Sequence, residues 1–496
     1  MTTLDDHQPS HGVHAVEQHG VDTIPDAERT SRPRDLVAIL WGGNLAFSVV
    51  VFGWLAILYG LSWWGAVSAI LVGTFVGSVA VTPLALLGYR SGSNNSVSSG
   101  AYFGVRGRLV ASAIGLLLCL GYIALTVWTG GEAVVTAATR VLGTTPTDAG
   151  LAVGYLVITV VVVVVAVYGF RWLVLLNRWI VPVVGSTMVL TVIAFADSFD
   201  ASYAGTPDAY ALGSFWPTWL LAALTAGVAG PISYVTLTGD WTRYVSPRRH
   251  SRRSLLMGTW VGMFVGLSVP TLFGAFVSVV AFDPDSVVAG LVTGSPGWLL
   301  VPVVATGVIG SLGQGGLNLY SMGLDLDAIL PRLSRTRATL IVGLVAIGLV
   351  FLGDFVWSAE DAVTTYVLVL TSLATPWAVI TMIGFLQTQG RFDEPSLQVF
   401  NRRERGGAYW FTHGWNLDAV AAWGVGSVVG VLSNSTTSFE GPVARWLGGL
   451  DASVVTSAVA GGLLYVVLVA VRPHAHAPRR TVVAPTPETV TDGGCP

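Results

Sequence analysis

Apolar runs long enough to cross a lipid bilayer recur along the whole 496-residue chain. A helix needs about 20 such residues to span the roughly 30 Å of hydrocarbon. Twelve runs are read, at roughly 36–61, 63–88, 109–139, 151–169, 174–195, 215–238, 256–282, 298–325, 338–354, 361–387, 417–433 and 452–471. One of them, 159-TVVVVVVAV-167, is β-branched enough for a strand. In lipid an isolated strand leaves its backbone groups unpaired, so a helix is expected there too. The expected fold is therefore all-α and integral to the membrane, with twelve transmembrane helices. Composition argues against a soluble fold: only 11% of residues are charged and mean hydropathy is +0.68, whereas a soluble domain carries about 25% charged residues.

The 25 basic residues are all arginine. Without lysine there is no Walker A loop and no pyridoxal-phosphate Schiff base. A net charge of −3 gives no electrostatic case for nucleic acid. Cys119 lies in an apolar run and Cys495 at the extreme end, so no disulfide framework is expected. Residues 1–35 carry no apolar signal-peptide core, and His7, His11, His14 and His19 fit a solvated tail better than a metal tract. Residues 1–35 and 472–496 are read as disordered cytoplasmic tails.

Arginine position sets orientation, because cytoplasmic loops are enriched in basic residues. With the N-terminus inside, 23 arginines fall in inside segments and only Arg140 and Arg445 fall outside. One missed span would scramble that alternation. Both termini are thus expected in the cytoplasm of a cell-membrane protein.

Transporters often build their site from discontinuous helices in corresponding positions of two repeats. The first run, 41-WGGNLAFSVVVFGWLAILYG-60, is broken by Gly42, Gly43, Asn44 and Gly53. The sixth, 219-WLLAALTAGVAGPISYVTLTGDW-241, holds Gly227, Gly230, Pro231 and Ser233. Proline removes a backbone donor and clashes with the preceding turn, so a kink or unwinding is expected near 227–233. Runs one and six are five apart, as two five-helix repeats require, and an odd repeat length inverts the second. This divides the chain into 36–195, 196–387 (with its preceding outer loop) and a remainder at 388–471.

Polar residues inside the spans carry the functional reading. Gln314 and Asn318 are four apart, so they share one helical face. Two amides there suit a neutral heterocycle with alternating donors and acceptors, and they could equally hydrogen-bond between helices. Tyr122 and Thr126, also one turn apart and near Trp128, offer an aromatic platform with a hydroxyl, or ordinary packing. Glu132 lies nearer the outer end, where it could carry protons, line a vestibule, gate or cap a polar pair. Asp240, Asp325 and Asp327 are placed near inner helix ends, within reach of water or arginine, and Asp240 could pair with Arg243 on the helix surface. The deep core otherwise lacks ionisable groups, which favours an uncharged polar solute.

The patches 128-WTGGEA-133, 232-ISYVTLTGDWTRY-244, 318-NLYSMGL-324 and 408-AYWFTHGWNLDAVAAW-423, with 100-GAYFGVRG-107 as a weaker fifth, resemble the nucleobase–cation symporter family of permeases for cytosine, purines, allantoin and hydantoins. The sixth-span patch is most similar to cytosine permease. The resemblance covers essentially 36–471. It implies a LeuT-like fold of two inverted five-helix repeats plus two C-terminal helices, with spans one, three, six and eight around the solute. By motif it places Tyr122 where members often stack a tryptophan, Thr126 where some have glutamine, Gly230 and Ser233 at the broken sixth helix, and Asn318 at the family's span-eight amide. It further implies cation coupling. Asn44, Ser48, Ser311 and Gly313 are the candidate cation-site residues, but relatives coupled to sodium have span-eight hydroxyls where this chain has Ser311-Leu312-Gly313. Either Na+ or H+ is therefore expected as the coupling ion, with no resident cofactor or metal.

The expected activity is uptake of a neutral nucleobase-like heterocycle. The alternative is a permease of the same fold for amino acids or another small metabolite. An enzyme is not expected, since no metal-spaced His/Cys cluster, G-x-S-x-G elbow or paired intramembrane carboxylates are read. Expected partners are the solute and the bilayer, and oligomeric state is not legible.

Overall fold

The computed structural model describes residues 21–168, 170–329, 335–355 and 359–472. The four N-terminal histidines, Cys495 and the 473–496 tail lie outside them, as does the Asp327 side chain. The described residues are helical apart from turns and isolated bridges.

The first run is two helices, α1 (Pro33–Asn44) and α2 (Phe47–Leu58), bent by 64° at Leu45–Ala46. Extended backbone at Ala46 leaves the last carbonyls of α1 and the first amides of α2 without helical partners. α3 (Trp63–Val81) continues through a tight turn into α4 (Ala85–Ser91), and Gly92 ends it in the left-handed conformation. A short α5 (Asn95–Phe103), capped by Asn94, precedes the long α6 (Leu109–Leu142). Then follow α7 (Asp148–Tyr168) and α8 (Phe170–Ala194).

The sixth run starts as α9 (Phe215–Ala222), widens into a π-helix over Ala223–Val228, tightens as α10 (Ala229–Ile232) and ends in turns at 233–237 before α11 (Thr238–Thr242). The expected break at 227–233 is present, with its widened part shifted towards the N-terminal side. Pro231 cannot donate to the carbonyl four residues back, and a π-turn ahead of it absorbs the ring without ending the helix.

The second half contains α12 (Arg252–Val280), α13 (Val287–Gly294), α14 (Gly297–Ile329), α15 (Arg335–Phe355) and α16 (Ala359–Gln387). It is followed by α17 (Glu394–Leu397), α18 (Leu417–Leu432), α19 (Pro442–Trp446) and α20 (Ser453–Val471). Each of the twelve apolar runs falls on one of these helices or on a broken set of them. Among the described residues, seven helices are long and apolar enough to cross a membrane, or eight with the bent pair counted as one. The stretches Asp148–Val164, Trp179–Ala194, Gly343–Leu352 and Leu417–Leu432 are apolar but shorter.

α14 packs along α6, α7 and α8, while α2 crosses α12 and α3 lies on the π-turn. The α2–α12 crossing depends on glycine: a Cβ on Gly53 would sit 1.7 Å from the Thr271 carbonyl oxygen, and one on Gly274 would sit 1.9 Å from that of Val50. α16, α18 and α20 form a separate side of the bundle. Val455, Leu463 and Val467 on α20 are exposed, as lipid-facing residues are.

Residues 21–32, assigned from sequence to a disordered tail, are packed against one end of the bundle. Ile24 is buried and its amide donates to the Gly92 carbonyl, while Ser31 donates to that of Tyr244. Arg29 is buried too, donating through Nε to Ile24 O at 2.9 Å. Apolar Val21 and Ile24 have somewhere to go, because the 89–94 turn and the 388–401 segment leave a groove for them. Gln398 reaches Val21 O there, and Arg472 reaches Asp418, so both described ends of the chain lie at this end.

Candidate solute-binding site

The two helix breaks face each other across the bundle and are tied together by one side chain. The Tyr234 hydroxyl, in the turn after α10, donates to Asn44 Oδ1 at the end of α1, 2.6 Å away. Asn44 Nδ2 donates in turn to Leu40 O at 2.6 Å. The ring of Tyr234 is held edge-on to Trp241, 5.5 Å between centroids. On the same side Ser233 Oγ donates to Gly230 O at 2.6 Å and interacts with Tyr122, which lies on α6 with its ring 6.0 Å from Phe52.

α14 closes the site. Gln314 interacts with Tyr234, and its Oε1 lies 3.9 Å from where a Cβ on Gly43 would stand. Gln314 and Asn318 are only 3% and 4% exposed, yet Gln314 Oε1 and Asn318 Nδ2 have no hydrogen-bond partner. A buried polar atom left unpaired costs roughly 1–3 kcal/mol. One unpaired acceptor and one unpaired donor, a turn apart on one helix, are what a heterocyclic amide edge can satisfy. The same face continues through Ser321 Oγ and Asp325 Oδ2, which are also buried without hydrogen-bond partners.

Thr126, expected beside the solute and one turn from Tyr122, also joins a cluster of hydroxyls. Its hydroxyl donates to Tyr122 O at 2.7 Å and approaches Ser48 Oγ at 3.3 Å. Ser311 Oγ donates to Gly307 O at 2.6 Å and approaches Thr126 O at 3.3 Å, with Gly130 leaving room for it on α6. Ser48 and Ser311, two of the candidate cation residues, are thus brought together with Thr126. The side-chain amide of Asn44, the third candidate, is engaged with Tyr234 and Leu40. Gly313, two residues past Ser311, is rotated about 200° around the helix from it. Gly230 turns its Cα towards Leu267 on α12, and its carbonyl accepts from Ser233. Glu132 is hydrogen-bonded to Ser286 at 2.6 Å, well away from the amides in sequence.

The acids near the inner helix ends need correcting. Asp240 and Asp325 are each 2% exposed and Arg243 is fully buried, so none sits on a helix surface. Asp325 accepts from Ser96 at 2.7 Å, and Arg243 donates to the Tyr320 hydroxyl at 3.3 Å. The sequence placed these groups by distance from run ends. It could not see that α4, α5 and the 21–32 segment cover them.

The sequence model of a family described as permeases for cytosine/purines, uracil, thiamine and allantoin matches residues 23–454. The chain belongs to this permease family. It is 20% identical over 469 residues to the "Putative purine-cytosine permease YxlA" of Bacillus subtilis (strain 168), covering 91% of this chain and 96% of that protein. It is 23% identical over 457 residues to the purine-cytosine permease fcyB of Emericella nidulans, covering 88% and 85%. The fold matches that of Mhp1, a nucleobase-cation-symport-1 family transporter solved in a closed conformation with bromovinylhydantoin bound. That match has a TM-score of 0.72 at 18% identity, over 93% of this chain and 97% of that one. A Na+-coupled sialic acid symporter in a substrate-bound outward-open state matches with a TM-score of 0.57 at 14% identity, over 92% of each chain. The permease is therefore a multi-pass membrane transporter of LeuT-like fold, and not an enzyme.

The residue that sequence reasoning missed is Tyr234. It stands in the quoted 232-ISYVTLTGDWTRY-244 patch, which carries the family resemblance, and no role is read for it there. The available signal was its position: the first residues beyond a broken helix are those whose side chains can reach the other break.

Proposed function

We propose that this permease is a secondary active cation symporter that imports a neutral nucleobase or related heterocycle, such as cytosine, a purine, allantoin or a hydantoin. The observation that carries the reading is the unpaired acceptor and donor of Gln314 and Asn318 on one buried face. The solute edge satisfies both amides, Tyr122 flanks it, and Ser233 and the α10 break contact it from the opposite wall. No charged side chain stands between them, which fits a neutral solute. Membership in a permease family for such bases supports the same class, as does the hydantoin analogue bound to Mhp1.

The coupling ion is Na+ or H+. Ser48, Thr126 and Ser311 supply three clustered hydroxyl oxygens, fewer than a sodium shell needs without backbone carbonyls. Twelve spans in two inverted five-helix repeats, 36–195 and 196–387, with two further helices to 471, place both termini in the cytoplasm of the cell membrane. The arginines support this orientation, since alternation along the sequence assigns 23 of them to inside segments and only Arg140 and Arg445 to outside ones. Competition decides between solute classes. Unlabelled cytosine, adenine, allantoin and uracil are expected to suppress uptake of the labelled heterocycle, and amino acids are not. Suppression by amino acids alone would refute the reading.

A further inference from the structure

Gln314, Asn318, Ser321 and Asp325 advance along α14 by four, three and four residues, so they form one stripe. The two amides belong to the solute site. Asp325 stands about 10 Å beyond Asn318 along the helix axis, and Ser321 lies between them. From α5, Ser96 Oγ donates to Asp325 Oδ1 at 2.7 Å. The other carboxylate oxygen, Oδ2, lies against α6 at Gly115. A Cβ there would stand 2.1 Å from Oδ2 and 3.0 Å from Thr236 Oγ1, in the turn after α10. Ser112, nearly one turn earlier on α6, faces the same carboxylate. Asp325 is 2% exposed, yet its Oδ2 has no hydrogen-bond partner. The buried Ser112 Oγ and Thr236 Oγ1 have none either.

Unpaired oxygens gathered at a buried carboxylate call for a proton or a small cation. A hard cation takes about six oxygens or more, whereas a proton needs only two. Protonated, Oδ2 donates to a hydroxyl; ionised, it accepts from one, and serine and threonine hydroxyls rotate to serve either state. Asp240 on α11 and the Cys119 thiol on α6 are the titratable groups that face the carboxyl. Arg243, beside Asp240 in sequence, donates to the Tyr320 hydroxyl on α14. The pocket is built from the solute walls themselves. Ser112 shares α6 with Tyr122, Thr236 follows Ser233 and Tyr234, and Asp325 shares α14 with Asn318. Asn95 ties α5 over it, donating to Val235 O at 2.7 Å and to Thr238 Oγ1 at 2.8 Å. Any movement of one wall against another therefore alters the surroundings of Asp325.

We propose that Asp325 is the proton-binding site of this permease, taking up and releasing the proton that drives the solute. One proton adds to Oδ2 from water on the loading side and is held as a carboxylic acid donating to Thr236 or Ser112. It returns to water on the release side, and no other bond forms or breaks. The inference rests on the chain being a cation symporter, and it chooses between the two ions that reading allows.

Infrared difference spectroscopy on the full-length protein in nanodiscs, without solute, reads the carboxyl itself. Between alkaline and acidic medium, wild type is expected to gain a carboxylic-acid C=O band that Asp325→Asn lacks. Identical acid bands in the two proteins overturn the proposal. Ser112→Ala combined with Thr236→Val keeps the carboxyl but removes both hydroxyls, so the band is expected to move; an unmoved band overturns the site even if Asp325→Asn fails to fold. Transport supplies a second arm, because exchange of cytosine across a vesicle membrane requires no net proton release. The ratio of proton-driven cytosine accumulation to cytosine exchange is expected to fall at least tenfold in Asp325→Asn. An unchanged ratio overturns the proposal, and so does wild-type accumulation driven by a sodium gradient alone. If wild type takes up no cytosine, the assigned solute fails instead, and the infrared measurement still decides whether Asp325 takes the proton.

Discussion

Asn318 is the residue on which the site reading depends most. Its Nδ2 is buried without a hydrogen-bond partner, so Asn318→Ala breaks no hydrogen bond made by that nitrogen. Solute binding is expected to weaken by about 1–3 kcal/mol, roughly 5- to 150-fold in Kd, with little change in thermal stability; equilibrium binding and a melting curve check both. Tyr122 lies against Phe52, so Tyr122→Ala is expected to weaken binding more than Tyr122→Phe. Equal losses would assign the effect to the hydroxyl instead. Tyr234→Phe behaves differently, since it leaves Asn44 Oδ1 buried and unpaired. It is expected to lower folding stability by about 1–3 kcal/mol, read by denaturant unfolding. The amide pair was legible because i and i+4 spacing fixes a shared face. The engagement of Asn44 was not, because a polar residue at a helix break looks the same in sequence whether it faces an ion or a tyrosine from another span.

The broken elements were legible through their punctuation. Gly42-Gly43-Asn44 and Gly230-Pro231 both stand within a few residues of an interruption. The form of each break was not legible: a sharp bend at Leu45–Ala46 and a π-turn over Ala223–Val228 depend on which neighbours fill the space. Pro231→Ala restores a donor four residues after Gly227 and favours a regular helix through the break. Higher thermal stability with slower uptake is the expected outcome, read by melting and by initial rates. Helix crossings make a sharper prediction. Gly53→Ala forces a methyl to 1.7 Å from the Thr271 carbonyl, with backbone on both sides. The α2–α12 contact cannot close around it, so folded protein recovered from membranes is expected to fall severely, as measured by monodisperse yield.

The whole molecule follows from scarcity of charge. Apolar runs and arginine positions set an expected series of spans and an expected sidedness, and the described helices fall on those runs. Sequence could not show that the chain before the first run, at 21–32, folds back under the bundle, because that depends on a groove built by residues 60 to 380 positions away. It also could not show that Asp240, Asp325 and Arg243 are buried together. The central claim joins these scales: a neutral heterocycle held by the α14 amides and driven by an ion gradient. Uptake of radiolabelled cytosine, purines, allantoin and hydantoin into vesicles, with sodium and proton gradients imposed separately, tests it most directly. Saturable uptake of at least one heterocycle, accelerated by one of the two gradients and lost in Asn318→Ala, is the predicted result. Uptake of none of them under either gradient, or uptake by Asn318→Ala at the wild-type rate, would contradict it.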